Sequence, residues 1–332
     1  MVWFFAVTIM LGLSSCLKED KMLPKPDMNG LQIEIPMESD YKYQVYYSVT
    51  NGKIVKKILK TEWDLRLSSG KSHYLWLNSG RFMKVAKTGK TNLDEVTSHL
   101  GLDFRFDNPS GNSDSNAIGY FWSNTIPVYS KQEVFVIDMG FDEFGNTMGF
   151  KKLKVKEVNE QNISIEYANL DGSDYHELTV GKEFDCNFSY ISLKDGGSKV
   201  SIEPKKEEWN LLFTQYSTFL YDRSNNSYIP YLVVGVLLNP YNTEVAKDTN
   251  DRYNTISFPL DAFTFLKNWD AIGYDWKDPG NVQGGGAVNY TVNPKFSYVI
   301  HTLEGEYFKL RFLDFINIYG QKGYPKFEQR KL

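Results

Sequence analysis

The imidazole and thiol side chains in this sequence, which could ligate a transition metal, are few. Four histidines and two cysteines occur among 332 residues. Imidazole nitrogens ligate iron and zinc, and a thiolate is both a nucleophile and a metal ligand. The histidines are widely separated, at His73, His99, His176 and His301. A lone histidine is more often a structural residue than a ligand, so we expect a structural role for each of them.

Sequence motifs for common catalytic chemistry are absent. The chain has no Gly-rich phosphate loop after a strand, no His-Glu-x-x-His and no Gly-x-Ser-x-Gly. The polar loop DNPSGNSDSN, residues 107–116, carries oxygen donors of the kind that Ca²⁺ prefers. Its spacing matches no known calcium loop, so a flexible turn is the better interpretation. Nothing in the sequence therefore argues for an enzyme or for a dedicated metal site.

Cys16 follows a short apolar run, Val2 to Leu11, and the small residues of GLSS. The run is shorter than the roughly 20 residues that a transmembrane helix needs, and it suits a secretory signal peptide, although no basic residue precedes it. Leu13-Ser14-Ser15-Cys16 resembles the lipobox of bacterial lipoproteins, which implies cleavage before Cys16 and lipid on its thiol. We predict a signal peptide over 1–15 and a lipidated tether over 16–30. The alternative is a buried N-terminal strand with an incidental cysteine.

The residues around the two cysteines also bear on location and reactivity. Lys18-Glu19-Asp20 resembles the surface-export signal of Bacteroidetes lipoproteins. This implies an outer-membrane lipid anchor with the protein on the cell surface. Lipidation of Cys16 leaves Cys186 without a disulfide partner. Cys186 alternates with Phe184 and Phe188 in EFDCNFSY, which predicts a buried and unreactive thiol.

Composition and periodicity predict an all-β fold. Tyr and Phe are frequent, at 22 each, and the net charge of -4 comes without a basic patch, so nucleic acid is an improbable partner. YKYQVYYSV, the Asn-Gly turn TNGK and IVKKILK predict a β-hairpin. Further strands recur about every 8–12 residues, which indicates an antiparallel sandwich or an open barrel.

Two local features interrupt or organise this strand pattern. TNLDEVTSHLGL predicts one short helix near residues 92–100, with Asn92 as its cap. KTEWDL, residues 60–65, is echoed by KEEWNL, residues 206–211. The echo fades after six positions, so we interpret it as two strands that each begin with a tryptophan covering the end of a core. We expect one β domain over 31–332 and leave open a division into two lobes near 201–206.

The C-terminal sequence resembles a known family. YVIHTLEGEYFKLRFLDFINIYGQKGYPKFE, residues 298–328, is similar to the closing hairpins of the HmuY-like lipoproteins. The matching positions are Gly305, Tyr307, Lys309, Leu310, Phe312, Gly320 and Gly323. Trp63-Asp64-Leu65 and Trp209-Asn210-Leu211 resemble the Trp-Asp-hydrophobic strand of the same family. The resemblance is clearest over about 205–332, and it implies an all-β surface lipoprotein of the Bacteroidetes.

The resemblance also implies a ligand, because several members of this family capture haem for a TonB-dependent receptor. They hold the iron with two His or Met side chains near one end of the β domain. The comparable region here, 241–286, has no His and no Met, and its Tyr253 and Tyr274 are better interpreted as ordinary packed aromatics. His73 and His301 are the remaining candidates for haem ligands, with haem as a possible cofactor.

These observations together predict a non-enzymatic, lipid-anchored protein that captures haem or a related small-molecule nutrient. Its expected partners are the membrane, through the lipid, and a TonB-dependent outer-membrane receptor. The rival hypothesis is a structural or glycan-contacting surface lipoprotein that has lost the haem ligands. Because two imidazole or thioether donors are missing where the pocket is expected, we predict weak or absent low-spin haem binding.

Overall fold

The protein folds as antiparallel β-sheet. The computed structural model describes residues 30–222, 225–278 and 290–332. Among these described residues, 44% lie in strands or β-bridges and 3% in helical turns. The strands are β1 (Leu31–Glu34), β2 (Tyr43–Ser48), β3 (Lys53–Leu59), β4 (Leu65–Ser68), β5 (Leu75–Leu77), β6 (Lys84–Lys87), β7 (Val134–Asp138), β8 (Phe150–Val158), β9 (Asn162–Asn169), β10 (His176–Gly181), β11 (Phe188–Ser192), β12 (Ser198–Val200), β13 (Leu211–Asp222), β14 (Ser227–Leu238), β15 (Glu244–Asp248), β16 (Lys277–Asp278), β17 (Thr291–Val292), β18 (Ser297–His301), β19 (Tyr307–Ile316) and β20 (Lys322–Lys331).

The strands form four larger sheets and a two-stranded ribbon, β16–β17. Sheet I has the order β1-β20-β19-β18-β15, and sheet II the order β14-β13-β2-β3. Sheet III has the order β12-β11-β4-β5, and sheet IV the order β10-β9-β8-β7-β6. The chain passes from sheet I through II and III to IV, and then returns through III and II to I. In the sequence, the strands of sheets III and IV therefore lie between an N-terminal and a C-terminal group of strands that together form sheets I and II.

Three apolar cores lie between successive sheets, so the sheets are stacked in the order I, II, III, IV. Alternation along β2 shows the reason: Val45 and Tyr47 enter the core shared with sheet I, whereas Tyr46 enters the core shared with sheet III. Sheets III and IV enclose the remaining core, to which Leu65 and Ile165 belong. The architecture is thus two sandwiches, I/II and III/IV, joined through a middle core. Of the two predicted architectures, the sandwich is correct, and the described sheets do not close into a barrel.

The helix predicted near 92–100 is a single 3₁₀ turn, Leu93–Glu95. Asn92 caps it as predicted, by accepting a hydrogen bond from the Asp94 amide at 3.1 Å. Leu93 and Val96 are buried on the outer face of sheet IV, but Leu100 is 78% exposed. One turn is enough to bury the first two apolar residues, and the Ser98 hydroxyl then accepts from the Leu100 amide, which competes with a helical hydrogen bond.

The N-terminal segment lies outside the described residues. This applies to the predicted signal peptide over 1–15, to Cys16 and to the tether up to residue 29. Among the residues that the structure describes, no helical segment has the length and apolarity to cross a membrane. The chain crosses between sheets II and III at 60–64 and again at 201–210. The division into two lobes near 201–206 remains a prediction.

Candidate ligand-binding cleft

A cleft of about 770 Å³ opens where the two sandwiches meet. One wall is formed by Lys84 of β6 and by segment 103–115. The other wall is formed by the outer part of the β13–β14 hairpin and by Asp270. This volume lies within the range of about 300–1,000 Å³ that is typical of small-molecule sites. The cleft therefore has the size to hold an organic ligand between the two halves of the protein.

The first wall is held by two side chains of the polar loop, residues 107–116. The Asp107 carboxylate accepts hydrogen bonds from the Leu77 amide at 2.6 Å and the Ala117 amide at 2.8 Å. Asn116 donates to the Leu75 carbonyl at 3.0 Å. Burial raises the pKa of Asp107 to about 6, against the lowering effect of the two amides. Both ends of the loop are thus hydrogen-bonded to β5. The described residues contain no cluster of His, Cys, Asp or Glu suited to a metal ion.

The same loop also contacts the second wall, through Trp269. The Trp269 amide donates to the Ser110 carbonyl at 3.0 Å, and its carbonyl accepts from Leu238 of β14 at 2.6 Å. Gly111 lies against the indole, where a β-carbon would be 2.1 Å from the Trp269 ring. Gly111 also has a φ of +73°, which a glycine adopts without strain. Only glycine therefore allows the loop to approach Trp269 this closely, and this contact joins the two walls.

Aromatic rings form the apolar part of the cleft. The Phe106 ring lies 4.8 Å from the Phe219 ring and 6.1 Å from the Phe82 ring. The Lys84 ammonium lies 4.7 Å from the centre of the Phe82 ring. At the rim, Arg105 pairs with Asp103 at 2.7 Å. The arrangement can contact a flat apolar ligand with ring faces and edges, and it can pair anionic substituents with the two basic groups.

The described residues that line the cleft include no His, Met, Cys or Tyr. These walls therefore offer no side chain of the kind that usually serves as an axial ligand of haem iron. No sequence motif marks Lys84, Phe104, Phe106 or Phe219 as a site residue. The alternation of DFRFD, directly before the polar loop, is the signal that could have indicated an aromatic wall there.

His73, the first candidate haem ligand, is buried in the connection between β4 and β5 of sheet III. Its side chain is 5% exposed, and its ring lies 5.7 Å from the Trp122 ring. Its Nδ1 is 3.4 Å from the Lys182 ammonium, which also donates to the Gly70 carbonyl at 2.8 Å. Burial and then the Lys182 charge lower the pKa of His73, so the neutral imidazole is favoured.

His301, the second candidate, lies on β18 in sheet I. Its ring stacks on Tyr307 with the ring centres 4.3 Å apart, and its Nδ1 is 3.7 Å from a carboxylate oxygen of Glu244. His73 and His301 belong to different sandwiches and share no contact partner among the described residues. Neither of them lines the cleft. The structure does not bring the two together, and a ligand role for either remains a prediction.

The other residues considered in the sequence have structural contacts. His99 stacks on Phe150 at 3.9 Å, and His176 is 2.7 Å from Asp174. Tyr253 is buried beneath the Arg311 guanidinium, 4.4 Å from the ring centre. Cys186 is buried as predicted, and burial raises the pKa of its thiol to about 12. Phe184, expected on the same apolar face, is instead 48% exposed.

The fold and the cleft define an all-β sandwich protein with a site of ligand size between its two halves. Residues 40–182 match the family model of HmuY protein, which confirms the predicted resemblance to the HmuY-like family. The matched segment lies mostly in the N-terminal half and does not include residues 298–328, where the sequence motifs were clearest. No curated protein sequence matches the chain.

Two solved structures are among those that match the chain. Apo PinO from Porphyromonas gingivitis has 11% sequence identity, covers 91% of this chain and 96% of its own chain, and gives a TM-score of 0.28. The apo HmuY analog of Tannerella forsythia has 10% identity, covers 90% of this chain and 94% of its own, and gives a TM-score of 0.20.

Proposed function

We propose that the protein captures a flat, mainly apolar ligand with anionic groups at the cell surface. A porphyrin such as haem is the class of nutrient that fits this description. The observation that carries the proposal is the cleft of about 770 Å³ in which Phe104, Phe106 and Phe219 stand beside Lys84 and Arg105. Rings bind a planar apolar body, and the two cations pair with its carboxylates.

Iron coordination has no part in this mode of binding. The lining residues include no imidazole or thioether, so the affinity comes from ring contacts and ion pairs rather than from the metal. Haemin and metal-free protoporphyrin IX should therefore bind with similar affinity. A family protein that relies on two axial ligands would strongly prefer haemin.

Absorbance and fluorescence titrations of the purified protein with both porphyrins test the proposal. We expect saturable binding of each and no sharp low-spin Soret band. Phe219→Ala should weaken the binding of both porphyrins by about tenfold or more, because it removes one of the rings that would contact the ligand. Phe144→Ala is the matched control, since Phe144 is 83% exposed and lies outside the cleft. A sharp low-spin spectrum that disappears in a His73 or His301 variant would contradict the proposal, as would non-saturating adsorption.

The same proposal includes the anchor and the receptor. A lipid on Cys16 would hold the protein on the outer membrane, where it could pass its ligand to a TonB-dependent receptor. Cys16→Ser should move the protein out of the membrane fraction, because several acyl chains are needed for stable anchoring. Cys186→Ser is the control and should remain in that fraction. If the Cys16 variant stays bound to membranes, the lipid anchor is wrong.

A second function, contact with glycans, is favoured by one feature of the hairpin β13–β14. Tyr221 and Tyr228 face each other across the strands with ring centres 5.3 Å apart, and they are 50% and 69% exposed. Exposed tyrosine pairs combine an apolar ring with a hydroxyl and suit a polar ligand with apolar faces. Polysaccharide binding that is lost in Tyr221→Ala, with porphyrin binding absent from the wild type, would favour this function instead.

A further inference from the structure

A second cavity, of about 250 Å³, lies at one end of the sandwich formed by sheets III and IV. We call it the Arg81 cavity. The Arg81 side chain lies at its wall and is fully buried, with 0% of its side chain exposed. One guanidinium nitrogen, Nη1, forms an ion pair with the Asp64 carboxylate. Arginine is suited to binding a second oxygen group through its remaining nitrogens.

The backbone around Arg81 holds the side chain in place. Its Nε donates to the Phe141 carbonyl at 3.2 Å, and the Phe141 amide donates to the Arg81 carbonyl at 2.9 Å. Gly140 allows this approach, because a β-carbon there would be 2.0 Å from the Arg81 carbonyl oxygen. The guanidinium is thus held by two groups, the Asp64 carboxylate and the Phe141 carbonyl, before any ligand binds. Such preorganisation is characteristic of a binding site.

Two buried polar atoms near this cavity lack partners. The second terminal nitrogen of Arg81, Nη2, has no hydrogen-bond partner among the described residues, and neither has the Tyr167 hydroxyl. Tyr167 is fully buried, and its hydroxyl is within electrostatic reach of Asp64 and Asp174, which add to the effect of burial in raising its pKa to about 12. Buried donors are nearly always paired in folded proteins, so an unpaired one beside a cavity indicates a missing acceptor.

The charges and the apolar walls of the cavity narrow the class of ligand. Three basic and three acidic side chains line it, which are Arg81, Lys151, Lys194, Asp64, Asp174 and Asp195. Because these charges balance, the site suits a monoanion better than a dianion such as phosphate. Met139 and Met148 supply polarizable, adaptable apolar surface, which suits an organic body.

We propose that the Arg81 cavity binds a small organic carboxylate. One carboxylate oxygen accepts a hydrogen bond from Arg81 Nη2, and the apolar part of the ligand packs against Met139 and Met148. A metal cation is disfavoured at this position, because the group that lacks a partner is a donor with positive charge. This site is separate from the porphyrin cleft, and neither proposal depends on the other.

Calorimetric titration of the full-length protein in detergent at pH 7 tests the site, with butyrate as the probe. Butyramide has the same shape without the charge, and inorganic phosphate supplies the charge without the apolar body. We expect saturable binding of butyrate and at least tenfold weaker binding of the other two. Equal binding of butyrate and butyramide would overturn the proposal, as would stronger binding of phosphate or no saturable binding of butyrate.

Two variants at one exposed wall position provide the matched control. Met148 is 41% exposed, so changes there should leave folding intact. Met148→Glu places a negative charge beside the ligand and should reduce butyrate affinity at least tenfold. Met148→Gln, of similar size and neutral, should keep affinity within about threefold. Equal affinity of the two variants would show that butyrate binds elsewhere. Porphyrin binding should be unchanged in both, which separates this test from that of the cleft.

Discussion

Asn78 and Asn239 donate equivalent pairs of hydrogen bonds in the two halves of the molecule. The Asn78 amide group donates to the carbonyls of Lys60 at 2.7 Å and Trp63 at 2.8 Å. The Asn239 amide group donates to the carbonyls of Lys206 at 2.7 Å and Trp209 at 2.6 Å. The sequence echo between 60–65 and 206–211 is therefore one structural unit that occurs twice.

The correspondence continues into the middle core between sheets II and III. Trp63 packs edge-on against Tyr190 at 4.9 Å, and Trp209 packs edge-on against Tyr46 at 5.0 Å. The hydroxyls of these two tyrosines lie 3.4 Å apart. The two sheets thus present matching Trp–Tyr pairs to each other, and the pairs meet at the centre of the core. This explains why the two sandwiches pack through these sheets.

Removal of either asparagine should destabilise the protein to a similar extent. Asn78→Ala leaves two buried carbonyls without this donor, and Asn239→Ala leaves one buried and one part-buried carbonyl. We expect each to lower the free energy of unfolding by about 2–4 kcal/mol. Urea denaturation measures the change. Asn268→Ala is the control, because Asn268 is exposed, and it should change the value by less than about 0.5 kcal/mol. Widely different losses of unfolding free energy in the two variants would contradict the structural equivalence of Asn78 and Asn239.

Replacement of Gly111 by alanine should destabilise the protein more than the same replacement of Gly101, which has similar backbone geometry. Gly111→Ala and Gly101→Ala both place alanine at a positive φ, +73° and +76°, but only the first meets another group, the Trp269 ring. The shared backbone cost is roughly 1 kcal/mol, and the steric overlap should add about 1–3 kcal/mol at Gly111. Thermal unfolding compares the two. Equal destabilisation would mean that the loop moves away from Trp269 without cost.

Glu203 should make stability fall as pH rises toward neutrality. Its carboxylate is buried, where it accepts hydrogen bonds from the Phe188 amide at 3.0 Å and the Trp209 indole at 3.2 Å. Burial raises the pKa of Glu203 from 4.5 to about 7, so its contribution is complete below pH 4.5 and is lost as pH rises through about 7. Glu203→Gln should reduce the loss of unfolding free energy over this pH range by roughly 1–3 kcal/mol. The exposed Glu207→Gln should leave the profile unchanged, and an unchanged profile in Glu203→Gln would contradict the prediction.

Lys277 should have the opposite effect above neutral pH. Its ammonium is buried, donates to the Val234 carbonyl and lies 4.4 Å from the centre of the Trp276 ring. Burial lowers the pKa of Lys277 from 10.5 to about 7, so the folded state loses this proton before the unfolded state does. Stability should therefore rise between about pH 7 and 10.5, and Lys277→Met should remove that rise while stabilising the protein below pH 7. Chemical denaturation across this range measures it, with the exposed Lys53→Met as control; a rise that persists in Lys277→Met would refute the assignment.

Local sequence patterns determined the strands and the all-β fold class, whereas the choice between a sandwich and an open barrel came from the packing of the sheets. The predicted hairpin around TNGK is present as β2 and β3, with Gly52 at a φ of +61° in the turn. Alternation in β2 also fixes which of its side chains enter each core, because successive residues of a strand point to opposite faces. The same local reasoning overextended the helix at 92–100, since one 3₁₀ turn was enough to bury Leu93 and Val96.

The cleft and the Arg81 cavity were decided by the tertiary structure alone. Phe106 and Phe219 come from distant parts of the chain, and no periodicity predicts that their rings lie 4.8 Å apart. Arg81 is one basic residue among many in the sequence, and only packing against Asp64 and Phe141 encloses it and leaves one nitrogen beside a cavity. Strand formation depends on neighbours in sequence, whereas a cleft depends on how sheets stack and loops dock. That arrangement is set by contacts between residues that the sequence keeps far apart.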